Sequence, residues 1–358
     1  MRIDAEIRKT MRISYALRRV PEASFVTLLL CPETPCRGVV ALAEVEKVGK
    51  NANLELSNGR RCALHEGDTL AVVFGNRYAT MQFEGYARKN GTGCDLLSMG
   101  GLCGLVESKH ASVGEPTKLR LLGLIGDEHR HELQLTDYSL GLAPVAQALR
   151  VVVVCGTSMD AGKTHTVIST IMGLRRQGYR VAGIKLTGSA AGRDTWNMLD
   201  AGADVALDFV DGGFPSTYLC TSEELHSLHH LLLSHAAAQG AEWAVIEIAD
   251  GLLQPETAAL LQSPRFCSTV DHFLFAAGEP MAALGGVSML RSWNVEPLAI
   301  SGVVSMSLLS IREAEEATKL RCLTADQLQN ADLSAPEEVR VNFPPQKTQH
   351  ASWMVNRA

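Results

Sequence analysis

Between residues 37 and 137 apolar and polar positions alternate in short runs, such as RGVVALAEVEKV, CALHEGDTLAVVFG, RYATMQFEGYARKNG and TKLRLLGLIG. Asn58-Gly59, Gly67-Asp68, Asn90-Gly91 and Gly114 break these runs. A period of two interrupted by tight turns predicts an antiparallel barrel or sandwich. After a linker near 141–150 the texture changes. VVVVC at 151 is a β-branched run of the kind buried on both faces of a parallel sheet. A glycine loop, the helical THTVISTIMGLRRQGY and the strand RVAGIKL follow, completing a βαβ unit. SEELHSLHHLLLSHAAAQG and MAALGGVSMLRSW read as further helices, and EWAVIEIAD, HFLFAAG and PLAISGVVS as further strands. The pattern predicts a doubly wound, mostly parallel α/β domain over 146–325, preceded by a β-rich domain over 31–145.

The chain ends differ from both. Ile3, Ile7, Met11 and Leu17 recur at helical spacing among six basic residues, so residues 1–30 read as an amphipathic docking helix with a lead-in strand. Residues 326–358, with Pro336, Pro344 and Pro345, read as a tail. The length of 358 residues fits two domains. A formal net charge of -6 gives no electrostatic reason to expect nucleic acid as a partner. Nine cysteines without a CxxC pair suit reduced thiols in a cytoplasmic protein. No apolar run reaches the roughly 18 residues that span a bilayer, so no membrane partner is expected.

The strongest chemical signal is Gly156-Thr157-Ser158-Met159-Asp160-Ala161-Gly162-Lys163-Thr164, set between the buried strand and the next helix. Such a loop aims backbone N–H groups and a helix N-terminus at a polyphosphate. Lys163 would reach the outer phosphates, and Thr164 could ligate Mg²⁺. His165 continues the loop into the helix. The strict pattern wants its first glycine at Thr157, whereas this chain has Gly156 one step earlier. These residues predict a P-loop NTPase domain that binds a nucleotide. Lys185 ends the second strand, where another ammonium would stabilise a transferring phosphoryl group. Glu247 and Asp250 follow the strand WAVIE, and the turn near Ala249 decides which of them reaches a metal.

The displaced glycine, in GTxxxxGKT, resembles the loop of the dethiobiotin synthetase family. Gly183-Ile184-Lys185-Leu186-Thr187-Gly188 resembles that family's strand ending in Lys and Thr-Gly. The resemblance implies that Lys185 faces phosphates and substrate, and that Glu247 helps hold Mg²⁺ with Asp250 as its competitor. That family has an aspartate at the place of Ser158, where this chain has Asp160 two positions later. A second resemblance, in Gly192-Arg193-Asp194-Thr195-Trp196 and Asp200-Ala201-Gly202-Ala203, is to the GTP-binding adaptor of molybdopterin-guanine dinucleotide biosynthesis. It implies that Lys185 and Asp194 lie near the phosphates. Both cover only about residues 150 to 310. Together they imply a Mg²⁺-dependent ATP-using enzyme that acts on a small carboxylate or amine-derived substrate, with a GTP-binding adaptor as the alternative. The superfamily also implies a homodimer that completes the site, though no interface is legible.

Thr187, Gly188, Asp194 and Glu279 are the expected substrate contacts, Glu279 because it follows a strand's carboxyl end. The absence of an NKxD motif after AISGVVS favours ATP. The turn at 211–215 could cover substrate, and Gly75-Asn76-Arg77-Tyr78 reads as a hairpin or a binding turn. His226, His229, His230 and His235 read as a surface or partly packed face of a helix that opens with a capping box, rather than as metal ligands.

Overall fold

The computed structural model describes residues 1–144 and 149–335. In its N-terminal half, α1 (Ala5–Thr10), β1 (Arg12–Ile13) and β2 (Thr27–Leu29) precede β3 (Val40–Lys47). Then come the small hairpin β4 (Asn53–Glu55) and β5 (Arg61–Ala63), β6 (Thr69–Phe74), β7 (Phe83–Tyr86), β8 (Gly93–Leu96), β9 (Leu102–Lys109) and β10 (Thr117–Gly126). Strands β6, β3, β10, β8 and β9 pair antiparallel in that order. A parallel pair, Val73 with Leu102 and Phe74 with Cys103, joins β9 back to β6 and closes a five-stranded barrel. Of the two expected architectures, barrel or sandwich, the barrel is present, and closure leaves its five strands without a free edge. Ala41, Ala43, Val45, Leu70, Val72 and Phe74 point inward with Leu96, Leu119 and Leu121. Their neighbours Val40, Leu42, Ala71 and Val73 point outward into a core shared with the second half of the chain. Burial on both faces is why β3 reads almost continuously apolar at its start.

The amphipathic helix expected over the first twenty residues is not formed. Only Ala5–Thr10 is helical, capped by Asp4 and burying none of its residues. Met11 turns extended, Arg12 and Ile13 pair in parallel with Leu70 and Ala71 of β6, and Ile3, Tyr15 and Leu17 are buried in the shared core. Sheet pairing and burial have overridden a local helical pattern.

The second half is a six-stranded parallel sheet with helices on both faces. It comprises β11 (Arg150–Gly156), α2 (Lys163–Arg176), β12 (Val181–Lys185), α3 (Arg193–Asp200), β13 (Val205–Asp208), α4 (Ser222–Ala238) and β14 (Trp243–Glu247). It continues with α5 (Pro255–Leu261), α6 (Pro264–Cys267), β15 (His272–Ala276), α7 (Pro280–Ser292), β16 (Ala299–Ser301), α8 (Leu308–Thr318) and α9 (Ala325–Asn330). The strand order is β13-β12-β14-β11-β15-β16. Val152 and Val154 of β11 pack toward α2, while Val151 and Val153 face the core shared with the barrel. This is the expected doubly wound fold, and with the loop before α2 it is the fold of a P-loop NTPase.

The segment read as a tail from 326 begins as part of this domain. Thr324 caps α9 with a reciprocal box to Gln327, and Leu328 packs with Ile171 and Leu174 of α2. The prolines at 336, 344 and 345 lie outside the described residues. Among the described residues no helix is long and apolar enough to cross a membrane.

Candidate nucleotide site

Parallel strands end together, so β11, β12 and β14 deliver their carboxyl-terminal loops to one crevice. A cavity of about 480 Å³ opens there, lined by Met159, Asp160, Gly162, Lys163, Thr164, His165, Lys185, Asp194, Glu247 and Asp250 among others. The P-loop forms its floor. Asp160 and Gly162 both take positive φ, at 62° and 95°. A Cβ on Gly162 would lie 2.7 Å from the Gly302 Cα, so this turn requires glycine. Gly156 lies under Lys163, where a Cβ would stand 2.9 Å from that side chain's Cγ. The displaced glycine thus makes room for the lysine. Thr157 N–H donates to the Ala276 carbonyl, and Val303 N–H donates to that of Ala161, so the loop is tied to the ends of two neighbouring strands.

Lys163 folds over the loop, its Nζ donating to the Ser158 carbonyl at 2.7 Å. Burial and the nearby Lys185 push its pKa down, against the pull of Glu247 and Asp250. Thr164 Oγ1 donates to Glu247 Oε1 at 3.1 Å. Lys185 Nζ sits between Glu247 Oε1 at 2.6 Å and Asp194 Oδ2 at 2.8 Å. Burial opposes its charge, yet the two carboxylates outweigh burial and raise its pKa. One ammonium cannot fully compensate two anions. Glu247, only 1% exposed, is pushed up by burial, whereas Asp194, nearer the rim, is drawn down by Lys185 against its own burial. Glu247 Oε2 is buried without a hydrogen-bond partner among the described residues. Asp250 lines the same cavity, and burial raises its pKa while Lys163, Lys185 and Arg77 pull it back.

Other expected contacts have structural employment. Thr187 is fully buried, its hydroxyl donating to the Ala249 carbonyl at 2.6 Å and accepting from Ala249 N–H at 2.8 Å. It braces the turn that carries Asp250 instead of facing the cavity. Gly188 N–H donates to Thr217 Oγ1, and its φ of 143° suits glycine. Glu279 is the N-cap of α7, its two carboxylate oxygens accepting from Met281 and Ala282 N–H. A strand-end carboxylate has been spent on orphan helix amides. Asp211 joins a capping box with Asp208 and pairs with Arg18, so the 211–215 turn is clamped to the N-terminal half. The turn at Gly75–Tyr78 is similarly built in, with Arg77 donating to the Leu97 carbonyl and burial lowering its pKa to about 10.

The histidine face is partly packed, with His226 and His229 buried, His235 intermediate and His230 exposed. His226 bonds Ser263, and His229 bonds Thr269 at 2.9 Å and packs 4.7 Å from the Phe266 ring. Among the described residues no group of three or more His, Cys, Asp or Glu converges as metal ligands do.

Three features escaped sequence reasoning. Asn197, one turn after Arg193 on α3, lines the cavity beside it. A second cavity of about 420 Å³ shares Gly162, His165, Val303 and Met306 with the first and reaches Ser305, Thr324 and Asp326. The N-terminal half also grips α3 from behind. Glu55 accepts from Gly192 N–H at 2.9 Å and from Trp196 Nε1 at 3.2 Å. The Tyr15 hydroxyl lies 3.1 Å from Thr195 Oγ1 and donates to Asp208 at 2.7 Å.

No protein-family model and no curated protein matches the chain. Among solved structures it is similar to the signal recognition particle 54 kDa protein of Aeropyrum pernix K1 in complex with GDP, at 17% identity and a TM-score of 0.38 over 55% of this chain and 46% of that one. A DUF1611 family protein of Anabaena variabilis gives 15% identity and a TM-score of 0.35 over 54% and 60%. The signal recognition particle receptor FtsY of Elizabethkingia anophelis gives 14% and 0.31 over 45% and 51%. This chain spans roughly half the length of the signal recognition particle protein and of the FtsY receptor it matches. The likenesses are weak, and the P-loop fold stands on the strand order and loop geometry above.

Proposed function

We propose that the chain is a Mg²⁺-dependent enzyme that binds a nucleoside triphosphate and transfers its outer phosphoryl group to a small carboxylate or amine-derived acceptor. The observation that carries this reading is the convergence of Lys163, Thr164, Lys185 and Glu247 on one cavity over a P-loop. Lys163 exchanges its bond to the Ser158 carbonyl for the phosphates, and Lys185 faces the same charge from the opposite wall. Positioned cations and backbone amides supply most of the catalysis in such transfers, which explains why no reactive nucleophile is needed.

The residues fit Mg²⁺. It takes oxygen ligands and is commonly bound through one or two carboxylates together with substrate phosphates. Thr164 Oγ1 and Glu247 Oε1 are already 3.1 Å apart, and Glu247 keeps a buried oxygen without a partner among the described residues. Thr164 and Glu247 would hold the ion, which when bound neutralises charge on the phosphate oxygens. Asp250 is then left to accept the proton that an amine-derived acceptor loses as it attacks, whereas an ionised carboxylate acceptor has none to lose; the role suits a carboxylate raised by burial.

The second cavity would take the base. Its rim carboxylate favours a second reading, the GTP-binding adaptor. Asp326 can accept from the N1–H and N2–H donors of guanine, whereas adenine presents a lone pair at N1. Titration of ATP and GTP with and without Mg²⁺, on the wild type and on Lys163→Ala, tests the site. Mg²⁺-dependent binding that weakens at least about a hundredfold in the variant is the expected result. Equal binding by the two proteins would overturn it. Preference for ATP with acceptor-dependent ADP release supports the enzyme, and preference for GTP with slow turnover supports the adaptor.

A further inference from the structure

Three cations line the phosphate cavity, and two are accounted for. Lys185 is shared by Asp194 and Glu247, and Lys163 lies on the P-loop. The third is Arg193. Its side chain is exposed, lines the cavity and makes no hydrogen bond or ion pair among the described residues, though its charge adds to the pull on the adjacent Asp194, whose ion pair is with Lys185. Its position is also electrostatically poor. Arg193 is the first residue of α3, where the helix dipole is positive, and Gly192 before it offers no side-chain cap. Asn197, four residues on and therefore on the same face, lines the cavity with its amide also unpartnered among the described residues.

We propose that Arg193 and Asn197 form a receptor for a planar or tetrahedral oxyanion at the mouth of the phosphate cavity. A guanidinium presents a fork of donors that matches carboxylate or phosphoryl oxygens in pairs, and an amide N–H one turn away adds a third. The mount is rigid. Gly192, Thr195 and Trp196 of α3 are held by Glu55 and Tyr15 of the N-terminal half, so the helix that carries both side chains is fixed before a ligand arrives. The anion has two sources, the outermost phosphate of a bound nucleotide or the carboxylate of an acceptor. This inference deepens the phosphoryl-transfer reading and in part rests on it.

The test uses the full chain as wild type, Arg193→Met, Arg193→Lys and Asn197→Ala. Arg193 is exposed, so the variants are expected to unfold at the wild-type temperature. One arm measures Kd for the Mg²⁺ complexes of GTPγS, GDP, ATPγS and ADP. The other measures the rise in unfolding temperature caused by succinate, glutarate or citrate, with and without Mg²⁺-nucleotide. If the outer phosphate is the ligand, Arg193→Met lowers the preference for triphosphate over diphosphate about tenfold, and carboxylates do nothing. If the acceptor is the ligand, that preference is unchanged and a carboxylate stabilises the wild type but not Arg193→Met. Arg193→Lys and Asn197→Ala then give partial losses. An unchanged preference together with no carboxylate response that depends on Arg193 overturns the receptor. A wild type that binds no nucleotide overturns the phosphoryl-transfer reading alone, and the receptor is then decided by the carboxylates without nucleotide.

Discussion

Replacing Lys185 by methionine isolates the charge balance at the centre of the site. Methionine keeps the length and apolar stem of lysine but strands Glu247, whose side chain is 2% exposed, and Asp194, at 26%. Asp194 can turn to water. Glu247 cannot, and breaking a buried pair from one side costs about 3–5 kcal/mol. The cheapest escape is for Glu247 to take a proton. From an ordinary glutamate value of about 4.3 that costs about 4 kcal/mol at pH 7 and about 1 kcal/mol at pH 5. The sign follows from linkage. A carboxyl whose folded pKa is raised binds a proton that the unfolded chain releases, so its contribution falls as pH rises. Lys185→Met should therefore lose up to about 4 kcal/mol at pH 7 and recover most of it by pH 5. Urea denaturation of nucleotide-free protein at the two pH values measures this. Glu247→Gln added to Lys185→Met should remove the pH dependence. An equal loss at both pH values, or none at either, would refute the shared-lysine account.

Gly162→Ala places a side chain at φ 95°, with its Cβ 2.7 Å from the Gly302 Cα, so it should lose at least about 2 kcal/mol in a denaturant titration and weaken nucleotide binding with it. His229 is held neutral by burial, with its pKa lowered to about 4. The unfolded chain binds that proton from about pH 6.5 downward, so the wild type should lose about 3 kcal/mol between pH 7 and pH 4 through this residue. His229→Gln should show a flatter pH profile of its urea midpoint, and parallel profiles would show that His229 does not titrate in this way.

The P-loop was legible because its signal is local, with buried strand, glycines, lysine and helix contiguous in the chain. The capping box from Thr221 to Glu224 marked α4 for the same reason. The barrel was legible as strands but not as a ring, because closure depends on one parallel pair, Val73 with Leu102, that no turn dictates. Thr187 and Glu279 show a different limit. A polar residue at a strand's end can face a ligand or satisfy its own backbone, and only the neighbouring amides decide between the two. Arg193 lay within a motif quoted for its aspartate, and reading i to i+4 along that helix would have found Asn197 beside it.

The least legible feature is the seam between the halves, and it has the largest consequence for the site. Tyr15 and Asp208 meet across 193 positions of sequence, and Glu55 and Gly192 across 137. Helix α3, only eight residues long, carries Arg193, Asp194 and Asn197 toward the cavity and Thr195 and Trp196 toward the barrel side. So short a helix, with Gly192 pinned by Glu55 at one end, has little freedom to tilt on one face alone. On the phosphoryl-transfer reading proposed above, Lys185 exchanges Asp194 for a phosphate, and the force on α3 is then borne by Tyr15 and Glu55. The barrel is thus attached to the wall of the cavity that holds the ion pair of Asp194 with Lys185.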